Sequence, residues 1–212
     1  MNRFLKGAMI LTIAGVIVKI IGAFSKVLVA RILGGEGIGL YMMAYPIYQI
    51  IVSISAAGIP VAISIMIAEK LANRDMRGVQ QVFNVSLRVL TLVGIVFSVG
   101  LYASAEWLIK WNIITDPRAL IPIQLLSPAI IVVTILSCFR GYFQGFQYMV
   151  PTGTSQVFEQ IFRVGSMVGL AYYFIDSGLH LAAGGATFAT FPGVLAGLIV
   201  LVYFYRSQRS LR

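Results

Sequence analysis

Apolar residues fall along this chain in blocks of roughly 20 to 29, each long enough to cross a bilayer core as a helix. Six blocks can be drawn, at 7–33, 40–68, 79–105, 120–139, 154–175 and 179–205, with short glycine-rich or charged stretches between them. The pattern predicts an all-α polytopic membrane protein of six transmembrane helices, folded as one domain over residues 1–212. The run Gly34-Gly35-Glu36-Gly37-Ile38-Gly39 reads as a turn between the first two spans. It follows a helix and lacks the strand and lysine that a phosphate-binding loop requires. Pro46 and Pro60 lie in the second block, where each removes a backbone donor. Kinks near 42–46 and 56–60 are expected there within one helix, and Pro192 should bend the last span.

Composition agrees with that pattern: 59% of the residues are hydrophobic and 11% charged. The net charge of +9 is spread over the ends of the spans rather than gathered on one domain, which points away from nucleic acid. Basic flanks are retained in the cytoplasm. With the N-terminus inside, Arg3, Lys6, Lys70, Arg74, Arg77, Arg140, Arg206, Arg209 and Arg212 are cytoplasmic, and only Arg31, Lys110 and Arg118 face out. Both termini are then cytoplasmic, and Arg3 and Lys6 open an uncleaved anchor whose apolar run outlasts a signal peptide. Trp107 and Trp111, together with Tyr142, Phe143, Phe146, Tyr148, Tyr203 and Tyr205, read as rings at the lipid headgroups.

Four basic residues, Lys19, Lys26, Arg88 and Arg163, remain inside the spans. Each costs about 2.5 to 3.5 kcal/mol near a helix centre, so such residues face a bundle interior or a watery cavity, or snorkel to the surface. At about 100° per residue, Lys19 and Lys26 share a stripe with Ala8, Thr12, Gly15 and Gly22. Thr152, Ser155, Gln156, Glu159, Arg163 and Ser166 form a polar arc on the fifth span, with Glu159 and Arg163 at the i, i+4 spacing at which opposite charges meet. That pair either belongs to a site or merely holds helices together. Gln81, Asn84, Arg88 and Thr91 mark a face of the third span, and Tyr45, Gln49, Ser53, Ala56, Pro60 and Ser64 one of the second. Converging faces would enclose a hydrated cavity with net positive charge, fit for phosphate. Lys19, Lys26, Arg88, Glu159, Arg163 and Gln49 are the candidate substrate-binding residues.

The seven acids are scattered, Cys138 is the sole cysteine and His180 the sole histidine. No metal site, cofactor or enzymatic centre is implied.

The stretch Lys19-Ile-Ile-Gly-Ala-Phe-Ser-Lys-Val-Leu-Val-Ala-Arg-Ile-Leu-Gly34 resembles the first helix of the multidrug/oligosaccharidyl-lipid/polysaccharide exporter superfamily. Phe139-Arg-Gly-Tyr-Phe-Gln-Gly-Phe-Gln-Tyr-Met-Val-Pro-Thr-Gly-Thr-Ser-Gln-Val-Phe-Glu-Gln-Ile-Phe-Arg163 is similar to the fourth-to-fifth helix region of its stage V sporulation protein B branch. The resemblance implies one six-helix lobe of a two-lobed, alternating-access flippase in the bacterial cytoplasmic membrane. Its cargo would be an undecaprenyl-pyrophosphate-linked saccharide, with basic residues of the first helix, Lys19 foremost, meeting the pyrophosphate. Ser25 stands where the related lipid II flippases have arginine, and Ile50 and Ile51 replace a second one, which favours the broader sporulation or polysaccharide branch. Such proteins carry a second lobe, so the chain reads as a fragment or as a half that pairs with another half. Two other readings stay open: half of an ion-coupled multidrug exporter, for which Glu159 is the available acid, and a non-transporting membrane scaffold of cell-wall assembly.

Overall fold

The computed structural model describes residues 3–56 and 58–210. Arg212, expected at the cytoplasmic end, lies outside the described residues, as do the side chains of Arg3, Ala56 and Arg209. The helices are α1 (Arg3–Ala56), α2 (Ile59–Ala72), α3 (Met76–Lys110), α4 (Leu120–Gly145), α5 (Val150–Phe174), α6 (Leu179–Phe188) and α7 (Thr190–Ser210), with 3₁₀ turns at Pro117–Ala119 and Ile175–Ser177. Among the described residues, four helical runs are long and apolar enough to cross a membrane: Leu5–Ala72, Met76–Lys110, Pro117–Gly145 and Leu179–Gln208. The chain is an all-α, multi-pass membrane protein. The polar α5 is not among those four runs.

Unbroken, α1 would extend about 80 Å, far beyond any bilayer. It is interrupted at Gly34, whose φ of 66° and ψ of −175° are open to glycine alone. Two limbs result, 3–33 and 35–56. The turn expected of the glycine-rich run is confined to Gly34, where the helix breaks, and winding resumes at the next residue.

The second span also departs from expectation, because α1 ends at Ala56 and a separate helix, α2, begins at Ile59. Pro60 has no N–H for the Ala56 carbonyl and its ring crowds that carbonyl, so the ladder stops there and Pro60 sits in the first turn of α2. Pro46 by contrast stays inside α1. Pro192 acts where predicted, since it cannot serve the Phe188 carbonyl, and α6 ends at Phe188. In α4 the corresponding defect at Pro128 is repaired by Ser127, whose hydroxyl donates to the Gln124 carbonyl at 2.5 Å.

Buried along most of its length, α4 forms the centre, with α3, α2, α7, α1 and α6 around it. On the other side α5 packs against α7, α1 and α6. Tyr142 and Phe143 are buried, so these two rings are core rather than headgroup anchors. Phe83 takes Phe139 and Tyr142 edge-on at 5.1 and 4.9 Å and stacks on Tyr205 at 5.1 Å, which uses three helices to sequester the rings. Trp107, Trp111 and Tyr203 are exposed.

At the Gly34 end, Arg118 bridges Glu36 at 2.6 Å and Asp116 at 2.7 Å. Hydrogen bonds from that guanidinium hold the Asp116 carboxyl below the usual carboxylate range. At the opposite end Asp75 caps α3, accepting from the Gly78 N–H at 2.8 Å.

Candidate functional site

The first limb of α1 divides into three sectors around its axis. Ala14, Ser25 and Val29 are buried, and α5 is the main partner of this helix. Met9, Ile13, Val16, Ile20, Phe24 and Val27 are exposed on the far side, as lipid-facing residues should be. Between these sectors, about 90° from the packed face at 100° per residue, lies a shoulder of Ala8, Thr12, Gly15, Lys19, Gly22 and Lys26. Thr12 is satisfied within the helix, its hydroxyl donating to the Ala8 carbonyl at 2.9 Å. Lys19 and Lys26 are exposed, and among the described residues neither has a hydrogen bond or ion pair. Small neighbours leave both ammonium groups uncovered.

Gly22, between the two lysines, carries the shoulder into the interior. It faces α5 so closely that a β-carbon there would come within 3.0 Å of Gln160 Nε2. Gln160 is buried, and its Oε1 accepts a hydrogen bond from Arg163 Nη2. The other arm of that guanidinium donates to the Tyr45 hydroxyl at 3.2 Å. Tyr45 belongs to the second limb of α1, stacked on Tyr41 with ring centroids 5.4 Å apart, and its hydroxyl also accepts from Gln49 Nε2 at 3.1 Å. Gln49 itself is exposed. A hydrogen-bonded path therefore runs from Gln160 through Arg163 and Tyr45 to Gln49 on the surface of the second limb, and Gly22 of the lysine-bearing limb packs against its Gln160 end.

Glu159 does not pair with Arg163. Its Oε2 lies 2.7 Å from Nη2 of Arg140, which reaches over from α4, and Ser155 Oγ is 3.5 Å from the same nitrogen. Arg163 is turned toward Gln160 and Tyr45, so the i, i+4 spacing that suggested a local pair is overridden by a neighbour. Behind this turn α7 comes close through Gly193 and Gly197. A β-carbon on Gly193 would sit 2.6 Å from Arg163 Cβ, and one on Gly197 would sit 3.2 Å from Glu159 Cβ.

Of the six expected residues, Gln49 and Arg163 lie on that path, Glu159 is one turn from Arg163, and Lys19 and Lys26 lie on the shoulder that flanks Gly22. Arg88 is not brought to it. It is exposed, about 140° around α3 from the residues that pack on α4, and no described hydrogen bond or ion pair joins it to the others.

Residues 4–212 match the polysaccharide biosynthesis protein family. The chain belongs to that family. It lies within the multidrug/oligosaccharidyl-lipid/polysaccharide exporter superfamily. Its relatives include stage V sporulation protein B of Bacillus subtilis (strain 168), 34% identical over 100% of this chain. The lipid II flippase MurJ of the same strain is 29% identical over 99% of it. The chain spans 40% of the length of each. The crystal structure of MATE in complex with MaD3S shares the fold, with a TM-score of 0.83 at 16% identity over 98% of this chain and 46% of that one.

Within this family member, the Ser25 departure has a structural counterpart. Ser25 is 4% exposed, with its hydroxyl donating to the Gly22 carbonyl at 2.7 Å. A cation at that position would lie in a packed seam, whereas Lys26 stands on the open shoulder. Sequence reasoning missed two residues of the path. Gln160 falls outside the polar arc of α5, and only the facing Gly22 signals it. Arg140 was assigned to the cytoplasmic flank by its place near the end of a span, yet its side chain is mostly buried beside Glu159.

Proposed function

We propose that this chain forms one six-helix lobe of a two-lobed flippase that moves an undecaprenyl-pyrophosphate-linked saccharide across the bacterial cytoplasmic membrane. In this reading α1 supplies the first two spans at its Gly34 break, the second continuing into α2. The third to fifth spans are α3, α4 and α5, and the sixth is α6 with α7. Both termini are cytoplasmic. Membrane lipids surround the lobe, and a second six-helix lobe closes the other wall of the cavity.

The observation that carries the proposal is the pair of unpartnered lysines on a shoulder of small residues, with Gly22 between them packed against Gln160, the hydrogen-bond partner of Arg163. Lys19 and Lys26 have no described acid partner, and the Arg163 guanidinium hydrogen-bonds to neutral groups because Glu159 is in contact with Arg140. Phosphate oxygens are the guests that such donors favour, while the lipid tail stays among the exposed apolar residues of α1. Lys19 and Lys26 hold the pyrophosphate, Arg163 adds a planar fork oriented by Tyr45, and Gln49 contacts the saccharide side. The relative named as a lipid II flippase supports a lipid-linked cargo. An exporter of cationic drugs would need an accessible acid, and Glu159 is already spent on Arg140.

The test is export of the lipid-linked saccharide in cells whose own flippase is depleted, supplied with the two-lobed protein bearing this chain. Lys19→Ala should reduce export at least about tenfold with unchanged membrane abundance, because one charged contact in a partly desolvated site carries that order of effect. Wild-type export by that variant would sink the proposal.

A further inference from the structure

Glu159 and Arg163 occupy positions from which they could neutralise each other, and they do not. The i, i+4 spacing would let that pair form locally, one turn apart on α5. Instead Arg140 crosses from α4 to take Glu159 at 2.7 Å, although its own Nε is thereby buried without a partner. Arg163 is left with two neutral acceptors, Gln160 Oε1 and the Tyr45 hydroxyl. Gly193 and Gly197 of α7 press on the same turn and bring no charge to it.

We propose that Arg140 is a positioning residue: by holding Glu159 it keeps the Arg163 guanidinium uncompensated and available to a phosphate-bearing ligand. This rests on the anion site proposed above and adds the device that prevents the site from quenching itself. Once Arg140 is lost, the nearest cation to Glu159 on its own helix is Arg163. The carboxylate swings to it, and one of the three ligand-facing charges is cancelled from within.

The test uses the full chain in lipid nanodiscs with undecaprenyl pyrophosphate as the probe. Arg140→Gln should weaken binding about tenfold, the scale of a lost charge contact in a partly buried site. The double variant Arg140→Gln with Glu159→Gln should return to within about threefold of the original affinity, because its Arg163 is again unopposed. A double variant as weak as Arg140→Gln would overturn the proposal; because removing both partners of a purely structural pair also relieves the unpaired charge, the ligand-free coupling measurement below separates that case. Arg140→Lys, which keeps a cation for Glu159, should bind as the unaltered chain does and covers the case in which the glutamine variant does not fold.

A second readout needs no ligand. Carbon–nitrogen dipolar coupling between the Glu159 carboxylate and the arginine guanidinium groups should shift from Arg140 to Arg163 in Arg140→Gln; if it does not, the exchange does not occur. Unchanged probe affinity in Lys19→Ala and Arg163→Ala would instead sink the anion site itself, and the coupling measurement judges the exchange separately.

Discussion

The seam between α3 and α4 and the seam between α1 and α5 are built from similar parts and end differently. In the first, Ser98 donates to the Ser127 carbonyl at 2.8 Å and the Cys138 thiol lies 3.8 Å from the Phe83 carbonyl, so both of these groups end on backbone. In the second, side chain meets side chain from the buried Gln160 to Arg163, Tyr45 and Gln49, and the Gln49 end is exposed. A polar group that ends on its neighbour's backbone is closed to guests and serves packing. A relay whose last residues face outward can take up a ligand. Small residues let helices approach in both seams, so what separates holding from presenting is where the hydrogen bonds stop.

The strongest way to break this contrast is to displace the Arg163 turn of the second seam from behind, through α7. Gly193→Leu places bulk where a β-carbon already meets Arg163 Cβ at 2.6 Å. It should cost about 3 kcal/mol or more, seen as a large fall in melting temperature by fluorescence-detected size exclusion. Ser98→Ala removes a bond of the closed seam and should cost about 1 kcal/mol with export unchanged. Lys19→Ala should show the opposite profile, export lost and stability altered by less than about 0.5 kcal/mol, because nothing in the lobe leans on that side chain. If Lys19→Ala melted early instead, the shoulder would be a packing surface. The smallest effect belongs to Arg88→Ala, which stands on neither seam and should leave export within about twofold and melting unaltered.

Much of this fold is legible in the residues because apolar runs, prolines and glycines act locally. The helical stretches follow from run length, and Pro192 marks the end of α6 as it should. Gly34 and Pro60 were visible as interruptions, but how sharply each acts was not. A single residue turns the chain at Gly34, and at Pro60 the helix stops rather than bends. Placement about one helix axis was readable, as with Lys19 and Lys26, which share a stripe and are both exposed on it. The site was obscured where a second helix intervenes. Arg140 resembles any basic flank until Glu159 is seen across from it, and Gln160 is one amide among several until Gly22 opens a place for it. The same holds for Arg88, whose polar stripe is real on α3 but turned away from the other faces. A helical wheel gives the angle of a residue about its own axis and cannot give the neighbour found at that angle.

The backbone angles at Gly34 are the mirror image of an extended polyproline-like conformation. An L-amino acid pays about 1 to 3 kcal/mol to enter that region. A D-amino acid enters it as its natural ground state. D-alanine introduced there by semisynthesis should therefore leave the two limbs of α1 where they are, while L-alanine should unsettle the angle between the helix that bears the lysines and the one that bears Tyr45. Handedness at one carbon thus sets how the two arms of the cation path are aimed at each other.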